Sequence, residues 1–397
     1  MTYRKFTPSR VSLLLITVLT VAMFVPAANA VELVGLSSDG TRVVIDSEDP
    51  AWQRVSPNAS KVQSVFTVTY LDVTGSNGKG FDHATEGAAR RAMAEAALEY
   101  LASVLNVTGV ADVVFEISQT DGSGFLATAG TWYATGPPRF TNGHGYDRLV
   151  DGTDSNPGLE EIYVTVDFGW DWNATLNAPA FDEVDLLSVL IHEISHGLGF
   201  TSLTNQNGTS GIGTGVYSYW DSFLETGNGT DLFVESGGTP TYQGTGTSLV
   251  GTDGGVVFTG TQAVAAFGGD APIYSPNPWE SGSSISHWSL GAKIAGGAVM
   301  EPAIYSGTMQ RTYAPVEIGA LIDMGYTNAA AAGAAEEGEG EGEGEGEGEG
   351  EGAPVGGSVK ASTNFPAVDG ALTLSAPTGA AAPFQWYKDD IALTGAT

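Results

Sequence analysis

Between Glu337 and Gly352 the chain alternates glutamate and glycine without a break. Such a run buries no apolar surface, repels itself and places a glycine at every second position, so it is an extended tether and not part of a core. It divides the 397 residues into a long body, sufficient for one large domain, and a short tail. The tether's glutamates account for only part of the formal net charge of -31, so the body is acidic too. A surface of that sign repels nucleic acid and anionic lipid, and no nucleic-acid partner is expected. Scattered loop carboxylates could instead bind calcium.

The first thirty residues carry Arg4, Lys5 and Arg10, an apolar run from Val11 to Val25, and Ala28-Asn29-Ala30. These are the parts of a secretory signal peptide, and the apolar run is shorter than the ~20 residues that span a bilayer. The expectation is a secreted protein, extracellular or displayed at a cell surface, with residues 1–30 removed and no membrane span thereafter. Residues 31–60 read as an N-terminal segment or propeptide. No cysteine occurs, which excludes disulfides, thiolate metal sites and a cysteine-based latency switch. Any metal must be held by His, Asp or Glu.

The main domain is expected over 61–328. A β-branched and aromatic strand from Lys61 to Val73 is followed by an Ala-rich helix from Glu86 to Leu105. Further strands are read at Ala111–Ser118, Phe125–Ala134 and Glu161–Phe168, between turn-forming Gly, Asn and Asp clusters. A helix is predicted from Asp185, its N-cap, to Leu198, with Leu186, Leu187, Leu190, Ile191 and Ile194 as the apolar face and Gly197 and Gly199 at its end. From Thr204 to Ser286 the chain is rich in Gly, Ser and Thr but dotted with aromatics, which reads as a packed insertion with short strands. A last helix spans Pro315–Met324. Residues 329–355 form an Ala-rich and Glu-Gly linker. Residues 356–397 resemble the opening strands of a bacterial immunoglobulin-like domain, with Trp386 at the position of its buried tryptophan, but are too few for the ~100 residues of a complete all-β sandwich.

The predicted helix carries His192-Glu193-Ile194-Ser195-His196. Residues i and i+4 share one helix face, so both imidazoles can reach one ion, and Glu193 is placed beside it as a base for a metal-activated water. A catalytic zinc needs a third protein ligand. The compact pattern HExxHxxGxxH would put it at position 202, which is Ser202. The remaining candidates are His83, His144 and His287, with Glu225 as a carboxylate option.

HExxHGLGF, a long Gly-rich insertion, Gly282-Ser283-Ser284-Ile285-Ser286-His287-Trp288 and then Val299-Met300-Glu301-Pro302 together resemble the leishmanolysin-like metzincins and their bacterial relatives. The closing Glu317-Ile318-Gly319-Ala320-Leu321-Ile322-Asp323-Met324-Gly325-Tyr326 is similar to that family's final helix. The likeness is specific from about Asp182 to Tyr326 and much weaker from Val31 to Trp172. It implies an α+β zincin fold with a twisted sheet, His192, His196 and His287 as zinc ligands, and Met300 packed beneath the metal. It further implies a zinc endopeptidase that takes a protein or peptide substrate as a strand added to the sheet edge, with Glu193 as general base. The family's larger members are disulfide-bonded, so their outer subdomains are not carried over. Tyr305 and Tyr313 follow the methionine turn and are candidates for a second carbonyl stabiliser. His83 and His144, among Gly and Asp neighbours, read as surface residues. The rival reading is a secreted adhesion or binding protein that uses a protease-like fold with a structural metal.

Overall fold

The β-branched runs of the body pair into a seven-stranded sheet ordered β2-β1-β6-β8-β5-β4-β3. Its members are β1 (Glu32–Leu36), β2 (Arg42–Asp46), β3 (Lys61–Gln63), β4 (Phe66–Tyr70), β5 (Ala111–Gln119), β6 (Ala127–Ala134) and β8 (Ile162–Asp167), with β7 (Arg139–Thr141) standing apart. The computed structural model describes residues 65–71 and 78–326, apart from 106, 214, 252–253 and 295–296, together with short strands at 32–36, 42–46, 61–63, 360–361, 374–375, 387–388 and 391–392. Residues 1–30, read as a signal peptide, residues 329–355, read as a linker, and Trp386 lie outside the described residues.

Strands β4, β5 and β8 run parallel, and the β4-to-β5 crossover is the helix α1 (Gly87–Val104). Strand β6 is antiparallel to β8, and β1 pairs antiparallel with the far half of β6, Leu33 opposite Ala134 and Gly35 opposite Trp132. Glu32–Leu36 and Arg42–Asp46 thus contribute to the same sheet as the body. Within the stretch from Lys61 to Val73, read as one strand, β3 and β4 instead pair antiparallel with Gln63 opposite Phe66. Both strands carry the same apolar alternation, and a junction sequence without Gly, Pro, Asn or Asp leaves no mark in that pattern.

Phe66, Val68, Val113, Phe115, Val164 and Val166 are buried. The short parallel pair β9 (Trp172–Asn173) and β10 (Val184–Asp185) leads directly into α3 (Leu186–Gly197), which packs on β6, β8 and α1; the small α2 (His144–Tyr146) also packs on β6. Leu186, Leu187, Leu190, Ile191 and Ile194 are all fully buried, each worth roughly 1.5–3 kcal/mol.

The insertion is packed, as its aromatics require. Strand β11 (Val216–Ser218) pairs with β7; β12 (Leu224–Thr226), β15 (Val256–Phe258) and β16 (Ala271–Ile273) form a small sheet; β13 (Phe233–Ser236) and β14 (Thr239–Tyr242) form a hairpin. A helix not foreseen in the sequence, α4 (Thr261–Phe267), packs on the closing helix α5 (Pro315–Asp323). The architecture is mixed α+β.

The chain divides into two units, Met1–Ala334 and Ala335–Thr397. In the second, Lys360–Ala361 pairs with Leu374–Ser375 and Tyr387–Lys388 with Ile391–Ala392. Among the described residues, no helix is long and apolar enough to cross a membrane.

Candidate metal centre

The helix that carries the histidines is anchored at its start. Asp185 is its N-cap, accepting from Ser188 N at 3.0 Å and from the Ser188 hydroxyl at 2.5 Å. Arg311 grips the same fully buried carboxylate, donating from Nε to Oδ2 at 2.9 Å and from Nη2 to Oδ1, and its guanidinium also donates to the carbonyls of Leu176 and Asn177. The helix ends on two glycines. A Cβ on Gly197 would lie 2.5 Å from Ile162 of β8, so only glycine lets α3 sit so close to the sheet. Gly199 has φ of 110°, which turns the chain so that the Phe200 carbonyl reaches back to His196 Nδ1 at 2.6 Å.

The three imidazoles are oriented in the same way from three different segments. His192 Nδ1 bonds the Val299 carbonyl at 2.7 Å, His196 that of Phe200, and His287 that of Ser283 at 2.8 Å. A carbonyl only accepts, so each ring carries its proton on Nδ1 and turns a bare Nε2 lone pair to the centre. Nε2 of His192 lies 3.2 Å from that of His196 and 3.3 Å from that of His287. With no proton between them these contacts are repulsive unless a cation lies among them. A small tetrahedral ion with metal–nitrogen distances of about 2.0–2.1 Å separates its ligands by about 3.3–3.4 Å. The donor set therefore fits a metal ion.

Burial lowers the basicity of all three rings: His287 is pushed down to about 3, and His192 and His196 are held below their ordinary value, with the neighbouring rings adding to the effect on His196 and His287. Neutral imidazole is the form that ligates. The ligand atoms lie within 4.8 Å of one another. Among the described residues no other set of three His, Asp or Glu side chains does so, and the loops considered for calcium bring no such group together.

The third histidine directly follows the insertion. Ser202, at the position of the compact pattern's ligand, gives its N–H to Ser286 Oγ at 3.0 Å and its hydroxyl to the fully buried Asp221. Asp221 also accepts from Leu203 N and Ser218 N, which ties the start of the insertion to its own chain. Trp220 donates from Nε1 to the Ile285 carbonyl at 2.7 Å and packs edge-on against Trp288. Ile285 has φ of 58°, a left-handed conformation that β-branched residues rarely adopt. Met300 is fully buried, follows the residue that bonds His192, and its carbonyl accepts from Trp288 N at 2.8 Å.

His192 and Glu193 line a cleft of 240 Å³ whose walls come from Gly124 to Ala127, at the near end of β6, and from Ala298, Val299 and Glu301 to Ile304. Glu193 is buried apart from that opening.

The other candidates lie elsewhere. Glu225 is on β12, opposite Val257. His83 Nδ1 accepts from Glu86 N at 3.1 Å, closing the approach to α1. His144, read as a surface residue, is 6% exposed; its Gly neighbours form a close-packed turn, where the Cβ missing from Gly145 would lie 2.6 Å from the Gly197 carbonyl. Neither tyrosine lines the cleft. Tyr305 is 75% exposed, and Tyr313 is buried with its hydroxyl on Ser195 Oγ.

The sequence reading missed the roles of Arg311, Asp221 and the closing Asp323-Met324-Gly325-Tyr326. Asp323 accepts from Gln262 N and Ala263 N at the start of α4, and the Tyr326 hydroxyl donates to the Leu198 carbonyl at the end of α3. Arg311 could have been suspected, since it is one of few cations in an acidic chain; the partners of the others are set only by the fold.

Fold and site together define an α+β protein with a buried three-histidine group able to hold a metal ion. Comparison with protein-family models, curated proteins and solved structures finds no match.

Proposed function

We propose that the chain is a secreted zinc endopeptidase of the metzincin type that hydrolyses protein or peptide bonds. The observation that carries this reading is the convergence of three bare Nε2 atoms, from His192, His196 and His287, beside a cleft that Glu193 lines. A three-histidine group that meets a cleft through His192 suits a catalytic ion, whereas structural zinc is usually enclosed by four protein ligands. That difference favours catalysis over the binding-module alternative. When bound, zinc supplies Lewis acidity, easing deprotonation of water and polarising the scissile carbonyl.

The protein's own residues do the rest. The Nδ1 bonds to Val299, Phe200 and Ser283 keep each ring in the ligating tautomer. The Glu193 carboxylate takes the proton of the attacking water and delivers it to the leaving amine. Strand β6 begins at the cleft wall with Ala127, and an extended substrate lies along it in this reading.

The test is casein hydrolysis and zinc content of the purified full chain. Wild type should bind one zinc and cleave, chelator should stop cleavage, zinc should restore it, and His287→Ala should lose the metal. A zinc-loaded chain that cleaves neither casein nor a peptide library would overturn the protease reading in favour of a binding module. Retention of zinc and activity by His287→Ala would remove the third ligand.

A further inference from the structure

Glu317 lies on α5, away from the cleft, and is fully buried. No lysine or arginine pairs with it among the described residues; three main-chain N–H groups hold it instead. Its Oε2 accepts from Val299 N at 3.1 Å and Ala314 N at 2.7 Å, and its Oε1 accepts from Met300 N at 2.7 Å. The Ala314 bond is an ordinary helix-start contact. The other two lie outside the helix and hold the segment under the metal centre.

The carbonyls of those same two residues bond to the segments that carry His192 and His287. Val299 C=O accepts from His192 Nδ1, and Met300 C=O accepts from the N–H of Trp288, the residue after His287. One carboxylate therefore fixes, on the N–H side, the two residues whose C=O groups fix two of the three ligand segments. Burying a carboxylate without a cation is costly, and an apolar side chain of equal size would avoid that cost. A glutamine would turn an NH2 against one of the three N–H donors, since all three need acceptors.

We infer that Glu317 is a positioning residue of the metal centre, acting through the Val299–Met300 backbone to set the His192 ring and the His287 segment. This rests on the three-histidine group holding a metal, though not on what reaction follows.

The experiment measures zinc affinity by chelator competition, and the visible spectrum with cobalt in place of zinc, for wild type, Glu317→Gln and Glu317→Asp. Thermal midpoints of the metal-free forms are recorded beside them. Loss of a group that orients a metal ligand typically weakens binding about 10–100-fold. Glu317→Gln should show that loss with an altered cobalt spectrum, and Glu317→Asp, which keeps the carboxyl group on a shorter arm, should recover part of it. Wild-type zinc affinity and spectrum in both variants, with only a lowered metal-free midpoint, would overturn the inference and leave Glu317 a helix cap. If Glu317→Gln does not fold, Glu317→Asp decides by the same criterion. A wild type that binds zinc but cleaves nothing would end the protease proposal and leave this one standing.

Discussion

Ile285 and His144 show two ways in which a residue departs from its ordinary preference for the sake of the centre's surroundings. Ile285 holds a left-handed backbone that costs of order 1–3 kcal/mol, set by Ile285 N on the Tyr274 carbonyl, Trp220 Nε1 on the Ile285 carbonyl, and full burial of its side chain. The strain lies two residues before a metal-ligand candidate. Nothing in an isoleucine between two serines announces it. His144 is buried and neutral, and that burial pushes its pKa down to about 4 from 6.5. The unfolded chain then binds the proton more readily than the folded one, so the fold loses stability as pH falls from about 6.5 to about 4. One such group contributes up to ~1.4 kcal/mol per pH unit. His144→Gln removes that slope, so in urea titrations the stability of the variant relative to wild type should rise steadily between pH 7 and pH 4.5. A difference independent of pH would mean that His144 does not titrate in this way.

At the scale of elements, what the sequence revealed was local. The bounds of α3, its N-cap and its terminal glycines follow from spacing and residue type within a dozen positions. The bond between Asp185 and Arg311 spans 126 positions, and no periodicity connects them. The insertion was recognisable as packed from its aromatics, but its strand pairing and α4 were not, because short Gly-rich strands carry little alternation. Two substitutions test these long-range links. Arg311→Ala leaves the Asp185 carboxylate buried without its cation and should cost about 3–5 kcal/mol in urea unfolding; a loss under 1 kcal/mol would show that the pair does not anchor α3. Trp220→Phe keeps the aromatic packing but leaves the Ile285 carbonyl unpaired, which should cost about 1–3 kcal/mol and weaken metal binding. Unchanged zinc affinity in a destabilised Trp220→Phe would separate the insertion's core from the centre.

For the whole molecule, the candidate metal site is where distant parts of the chain meet: helix α3 gives two imidazoles, the residue just after the insertion gives the third, and α5 holds the Val299–Met300 segment. The metal should therefore stabilise the entire body. At a free-ion concentration about 1,000 times Kd the gain is about 4.1 kcal/mol, on the order of 10 °C in melting temperature for a domain this size. Calorimetry of the zinc-loaded and chelator-treated chain checks this, and coincident transitions would contradict it. The order of the motif residues was legible along the chain; their convergence required the fold.

The central claim is that Glu193 works chemically on a metal held by His192, His196 and His287, and its most direct test is Glu193→Gln. Zinc content and proteolysis should be measured on one preparation. The variant should keep one zinc per chain and wild-type stability while hydrolysis falls by at least about 10²-fold, the usual worth of a general base. Undiminished hydrolysis by a zinc-loaded Glu193→Gln would contradict the assignment.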